Sequence, residues 1–146
     1  MATIKWDADS VTTHMTTDLN SIADDANSAA SSAIDNTTAL RLFEDLEFVL
    51  KDNATNSPTA GGVIEVYLLA AVDGTNYPDG SASIDPAANT FVGVFNTRVV
   101  STDQRMVLRG ISLPALNYKY LIINKTGMAF TTGNTLKGVS YGYASA

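Results

Sequence analysis

Near the C-terminus the chain reads GVSYG, Gly138 to Gly142, the G-x-S-x-G spacing of a nucleophile elbow. An elbow needs a strand, a strained turn at the serine and a following helix. Only four residues follow Gly142, too few for that helix. The single histidine, His14, is the only base such a serine could use, and it lies far upstream in what reads as a mobile arm. Ser140 is therefore expected to be a strand residue, and no catalytic residue is assigned. Glu44, Asp45 and Glu47 are closely spaced carboxylates. On a strand Glu44 and Asp45 point to opposite faces, so they cannot flank one substrate as an acid/base pair. Asp45 and Glu47 share a face and read as its solvated side.

Metal chemistry fares no better. Asp73, Asp79 and Asp85, with Asn76, offer oxygen ligands, but calcium loops place carboxylates at tight alternate positions and close with a bidentate glutamate. Here the acids stand six residues apart, and Asp73-Gly74 and Pro78-Asp79-Gly80 are turn formers. With no cysteine and one histidine, zinc would need a site made almost wholly of carboxylates. No metal or cofactor is expected. Tyr118 and Tyr120 share a strand face and could stack a sugar, though sandwich packing or an interface explains them more simply. Asn36-Thr37-Thr38, Asn53-Ala54-Thr55 and Asn124-Lys125-Thr126 match the glycosylation acceptor pattern and read as Thr-rich turns.

The elements that would carry these residues divide into two parts. Residues 1–36 are rich in Ser, Thr, Ala, Asn and Asp, and read as an N-terminal arm. Thr16 or Thr17 caps a short helix there, with Leu19, Ile22 and Ala23 on one side; a longer helix through Ala33 is the alternative. Residues 37–146 read as a β-sandwich domain. In LRLFEDLEFVLK the residues Leu40, Leu42, Leu46, Phe48 and Leu50 alternate with polar ones, and Glu44 and Phe43 interrupt the pattern. VIEVYLLAAV, from Val63, is apolar on both faces and so expected to be buried on both. TFVGVFNTRVV, RMVLRGISLP, YKYLIINKTG and TLKGVSYGYA follow, each β-branched or aromatic-rich and bounded by turn residues. Six or more short strands without intervening helices predict an all-β fold: an antiparallel β-sandwich of jelly-roll type, or a barrel.

Composition narrows the classes of function. The chain has 146 residues, enough for one domain with a real core. Its net charge of −6 argues against nucleic acid as a partner. No apolar run approaches the ~18 residues of a membrane span, and MATIKWDADS shows no leader pattern, so a soluble cytosolic product is expected. Charge is unevenly spread: residues through Asp85 sum to −11 and those from Pro86 onward to +5. Unlike halves either fold against each other and partly neutralise or are used between subunits, in heterologous contacts that close as a ring.

Several segments together resemble a group of small structural proteins from tailed bacteriophage virions. They are SAIDNTTALRLFEDLEFVLK, SPTAGGVIEVYLLAAVDGTNYPDG, RMVLRGISLPALNYKYLIINKTG and GNTLKGVSYGYA, in that order. The more specific pieces are Thr59-Ala60-Gly61-Gly62, Asp73-Gly74-Thr75-Asn76-Tyr77, Leu113-Pro114 and Asn124-Lys125-Thr126-Gly127. The resemblance implies a jelly-roll-like sandwich without enzymatic activity or small-molecule substrate. It implies a trimeric decoration or cement protein on the capsid surface, assembled in the host cytoplasm and clamping the major capsid protein. A tail or baseplate component with a carbohydrate-binding or adhesin role is the alternative. The expected protein-interface residues are Trp6, Leu19 and Ile22 of the arm, against a capsid subunit or a sister chain, with Tyr77 and Asp79 of the loop running from Asp73 to Asn89.

Overall fold

The computed structural model describes residues 3–51 and 53–145. Two antiparallel sheets face each other across one apolar core. The first is built from β1 (Ile4–Ala8), β2 (Thr12–Met15), β4 (Phe43–Leu50), β7 (Gln104–Ser112) and β9 (Thr135–Ser145). Its order is β1-β9-β4-β7, with β2 continuing along β9 beside β1. The second holds β3 (Ile34–Asp35), β5 (Val63–Ala71), β6 (Phe91–Asn96) and β8 (Asn117–Lys125) in the order β3-β8-β5-β6. The sandwich expected from the strand spacing is met, and the barrel is not. Among the described residues no helix is long and apolar enough to cross a membrane.

Alternation explains the core. On β4, Glu44, Leu46, Phe48 and Leu50 point inward. On β5, Ile64, Val66 and Leu68 do the same, and all three meet Phe95, Tyr120, Ile122 and Leu136 in one cluster. The other face of β5 and β8 is also covered, as its apolar sequence predicts: Leu69, Leu121 and Ile123 are buried beneath Ala30, Tyr67 and Tyr77. The strand expected from Leu40 begins only at Phe43. Leu40 takes a positive φ of 49°, and both it and Leu42 are exposed, because the chain turns there before entering the sheet.

The largest correction concerns residues 1–36, which are no separate arm. β1 and β2 pair with β9 from Ile4↔Ser145 to Met15↔Leu136, and Met15, Leu19 and Ile22 belong to the core cluster. The short helix is a single 3-10 turn, Thr17–Leu19; the alternative helix through Ala33 does not form. From Asp25 to Ser31 the chain instead lies along the free edge of β8. Asp25, Ser28 and Ser31 donate their N–H groups to the carbonyls of Asn124, Ile122 and Tyr120. The Ser28 and Ser31 hydroxyls accept the N–H groups of Ile122 and Tyr120, each at 3.0 Å. Small serines let the backbone come close while their side chains complete a ladder that backbone alone leaves open. An edge that would invite another strand is thereby closed.

Candidate functional site: two faces of the five-stranded sheet

Consecutive residues of a strand face opposite ways, and Glu44 and Asp45 show what each face of β4 is for. Glu44 points into the core, 2% exposed, beside a His14 side chain only 4% exposed. Its Oε1 lies 2.6 Å from His14 Nε2, and its Oε2 accepts the hydroxyls of Tyr120 at 2.5 Å and Tyr118 at 3.2 Å. His14 comes from β2, Glu44 from β4 and the tyrosines from β8, so the cluster ties the two sheets together. Gly138 on β9 makes room for it, since a Cβ there would overlap Glu44 Oε1 and His14 Nε2. Burial, then the neighbouring Glu44 carboxylate, pushes the Tyr118 and Tyr120 phenols well above the ordinary tyrosine range. Both carboxylate oxygens are engaged, and the hydroxyls are held against them deep between the sheets. That arrangement stabilises; it has no access for a substrate.

Asp45 points out of the sandwich into an aromatic surface. Its neighbours across the sheet are Phe43 on its own strand, Val139, Tyr141 and Tyr143 on β9, and Trp6 on β1, where Trp6 pairs with Tyr143 and Phe43 with Tyr141. Trp6 meets Tyr143 at 4.5 Å between ring centroids and Tyr141 edge-on at 5.3 Å; Phe43 lies 5.8 Å from Tyr141. The rings thus run as a continuous row over three strands. Trp6 is 58% and Tyr143 56% exposed, and Ile4, two residues from Trp6 on the same face of β1, is exposed as well; Val11 and Val107 line a separate groove with Asp45 and Val139. A soluble chain rarely exposes apolar groups contiguously unless the patch is used.

Most charges on this face are paired among themselves, Lys137 opposite Glu47 being an exception. Asp45 Oδ1 accepts the Gly110 N–H at 2.8 Å and the Tyr141 hydroxyl at 3.0 Å, while Oδ2 takes Arg109 Nε at 3.2 Å. Burial works against its ionisation, but these three donors together hold its carboxyl below the usual aspartate range. Glu47 pairs with Arg105 at 2.7 Å. At the corner between β1 and β2, Arg41 reaches Asp7 at 2.6 Å and also binds Asp9. A shallow groove of about 450 Å³ runs between Trp6, Ala8, Asp45, Arg109, Val139 and Tyr141.

The residues singled out in sequence scatter over the molecule. Ser140 donates its hydroxyl to Asp9 at 2.8 Å, and His14 is committed to Glu44, so no serine–histidine pair forms. His14 is also not on a mobile arm, so that ground for setting it aside is replaced by its burial. Asp73 closes its own turn, accepting the Thr75 and Asn76 N–H groups, with Gly74 at a φ of 81°. These bonds, the Asn76 side chain first, lower its carboxyl to about 2. Asp85 binds Asn27 instead, and Asp79 is exposed. Among the described residues no group of three or more His, Asp or Glu is placed to hold a metal ion. Tyr118 and Tyr120 cannot stack a sugar, being buried. Asn36 and Asn124 of the glycosylation patterns are buried too; Asn124 Nδ2 holds the Ile22, Ala23 and Met128 carbonyls.

Of the five expected interface residues, Leu19 and Ile22 are corrected: they lie in the chain's own core and cannot reach a partner. Tyr77 packs on Leu69, Leu121 and Ile123, with Lys119 Nζ 4.3 Å above its ring. Trp6 is the one placed in a large exposed patch. The reading by residue type missed its companions, Phe43, Tyr141 and Tyr143. Their signal was odd-numbered alternation, Tyr141 and Tyr143 sharing a face of one strand.

No protein-family model matches the sequence, and no curated protein does. Among solved structures the chain is similar to the C-terminal CBM6 of LamC, a laminarinase from Zobellia galactanivorans, at 8% identity and a TM-score of 0.47, over 94% of this chain and 99% of that one. It is also similar to the enzymatically active domain of tailspike protein 4 from bacteriophage CBA120, at 15% identity and a TM-score of 0.36, over 98% of this chain and 19% of that one. At these scores the likeness goes no further than the all-β architecture that the strand pairing already gives.

Proposed function

We propose that this chain is a non-enzymatic virion structural protein, a decoration or cement protein that binds the major capsid protein of a tailed bacteriophage. The observation that carries the reading is the outer face of the five-stranded sheet, where exposed rings stand among charges most of which are already satisfied by one another. Such a face gains by being covered with apolar surface and has few polar groups left unpaired to recognise a small ligand. The resemblance of the segments quoted above points to the same class, and to a jelly-roll type of sandwich on the capsid surface. A homotrimer is part of the proposal. The uneven split of charge along the sequence, −11 through Asp85 against +5 from Pro86, favours heterologous contacts.

A second reading, a carbohydrate-binding role on a tail or baseplate, draws on the groove where the Trp6 and Tyr141 rings meet Asp45 and Arg109. One pair of assays separates the two. The protein is sedimented with capsids stripped of it and, in parallel, applied to a glycan array. Capsid binding without glycan binding supports the cement reading. Glycan binding that is lost in Trp6→Ala, with no capsid binding, replaces it by the second.

A further inference from the structure

The strand that carries Trp6 is an edge. Asp9 donates its N–H to the Ser140 carbonyl at 2.8 Å, and Asp7 and Lys5 stand opposite Gly142 and Ala144 in the same register. Successive residues of an antiparallel strand turn their N–H and C=O groups to opposite sides. Those of Ile4, Trp6 and Ala8 therefore face away from β9. Ile4, Lys5, Trp6 and Ala8 are all exposed, so nothing in the described chain covers that side. The edge of β8 is closed by serines; the edge of β1 is open.

We propose that β1 pairs with β1 of a second copy, antiparallel about a two-fold axis through Trp6, joining two five-stranded sheets into one. The sequence IKWDA is self-complementary about its tryptophan. In this register Trp6 faces Trp6 of the second copy and Ile4 faces Ala8, and these are the residues whose backbone groups are free to bond. Lys5 faces Asp7 in each direction. Arg41 holds Asp7 Oδ2, which leaves Oδ1 for the incoming lysine. Centring the axis on Lys5 or on Asp7 instead sets like charges against each other, which disfavours those registers. The two-fold also brings the aromatic rows of both copies side by side on one face. A five-residue edge buries too little area for a tight complex by itself, so the contact is weak in solution and strengthened where copies are held close. A ring of three closed by other surfaces leaves each β1 free, and the pairing then links ring to ring. The inference stands on the edge and its sequence and does not require the virion reading.

Disulfide trapping tests the register, because the chain has no cysteine of its own. Facing Cα atoms lie about 5.5 Å apart in hydrogen-bonded pairs and about 4.5 Å in the others, within the span a disulfide bridges. Under mild oxidation Trp6→Cys is expected to give a covalent dimer on a non-reducing gel. A mixture of Lys5→Cys and Asp7→Cys chains should cross-link to each other, and neither alone faster than Val72→Cys, an exposed control at 84%. Charge exchange supplies a second readout without cysteines. Lys5→Glu alone and Asp7→Lys alone each weaken self-association by about tenfold, and mixing the two restores it. The proposal is overturned if neither Trp6→Cys nor the mixture cross-links above the control, or if Lys5→Cys cross-links with itself as fast as in the mixture.

Discussion

Glu44 and Asp45 are neighbours in sequence and opposites in use. Glu44, inside, is gripped by a histidine and two tyrosines from other strands, so its carboxylate holds two sheets in register. Asp45, outside, is gripped by Arg109, Gly110 and Tyr141 of its own sheet, so its carboxylate flattens a surface. Both are saturated, yet removing them should have unequal consequences. A buried polar group that loses its partner pays full desolvation, whereas water replaces the partner of an exposed one. The difference teaches where function sits: the inner cluster is unreachable, and the outer face is the part of this sheet that can meet another molecule.

The sharpest way to break this division is to remove the first strands. Deleting residues 1–32 takes away β1, β2, His14, Met15, Leu19 and Ile22, the last three of which are core residues. The truncated chain is expected to be unfolded by circular dichroism; a folded sandwich would restore the arm that the composition suggested.

Next comes Glu44→Ala, expected to cost about 3–5 kcal/mol in urea unfolding because it strands His14, Tyr118 and Tyr120. Asp45→Ala should cost about 1 kcal/mol or less, in line with partly exposed ion pairs. Equal costs would erase the contrast between the faces. Gly138→Ala, which drives a methyl into the His14–Glu44 contact, is expected to cost about 1–3 kcal/mol, measured the same way.

How much of this was legible beforehand follows from the same residues. β5 to β9 could be read because β-branched and aromatic residues concentrate there in short runs between turn signals. Glu44 could not, since a carboxylate at an inward position looks like a break in the pattern. Its parity with Leu46, Phe48 and Leu50 was the available clue, but His14 lies 30 residues away and no local rule connects them. The Ser- and Ala-rich stretch was misread for a related reason. Small residues bury little area and so suggest a loose arm, whereas Ser28 and Ser31 act through backbone and hydroxyl hydrogen bonds that hydrophobic periodicity does not register. Trp6 was picked out by its size alone; the sheet that gathers Phe43, Tyr141 and Tyr143 around it draws on strands over a hundred residues apart.

A smaller effect, in amplitude, probes the inner cluster by pH. The chain has six tyrosines. Tyr118 and Tyr120 have raised folded pKa values, so their contribution is complete below the ordinary value near 10 and lost as pH rises above it. Followed by phenolate absorbance, Tyr118 and Tyr120 should ionise only as the protein unfolds. Their ionisation before any loss of structure would show that the inner cluster is open to water.

The central claim is that the outer face docks on a partner protein and contributes little to the fold. It is tested most directly by Trp6→Ala combined with Tyr143→Ala, measured twice, for thermal stability and for sedimentation with stripped capsids. The account predicts a loss in stability of about 1 kcal/mol or less, as for exposed side chains. It also predicts capsid affinity reduced by about thirtyfold or more, as for an aromatic hot spot. A variant that binds capsids at full strength, or that loses binding only because it unfolds, would contradict it.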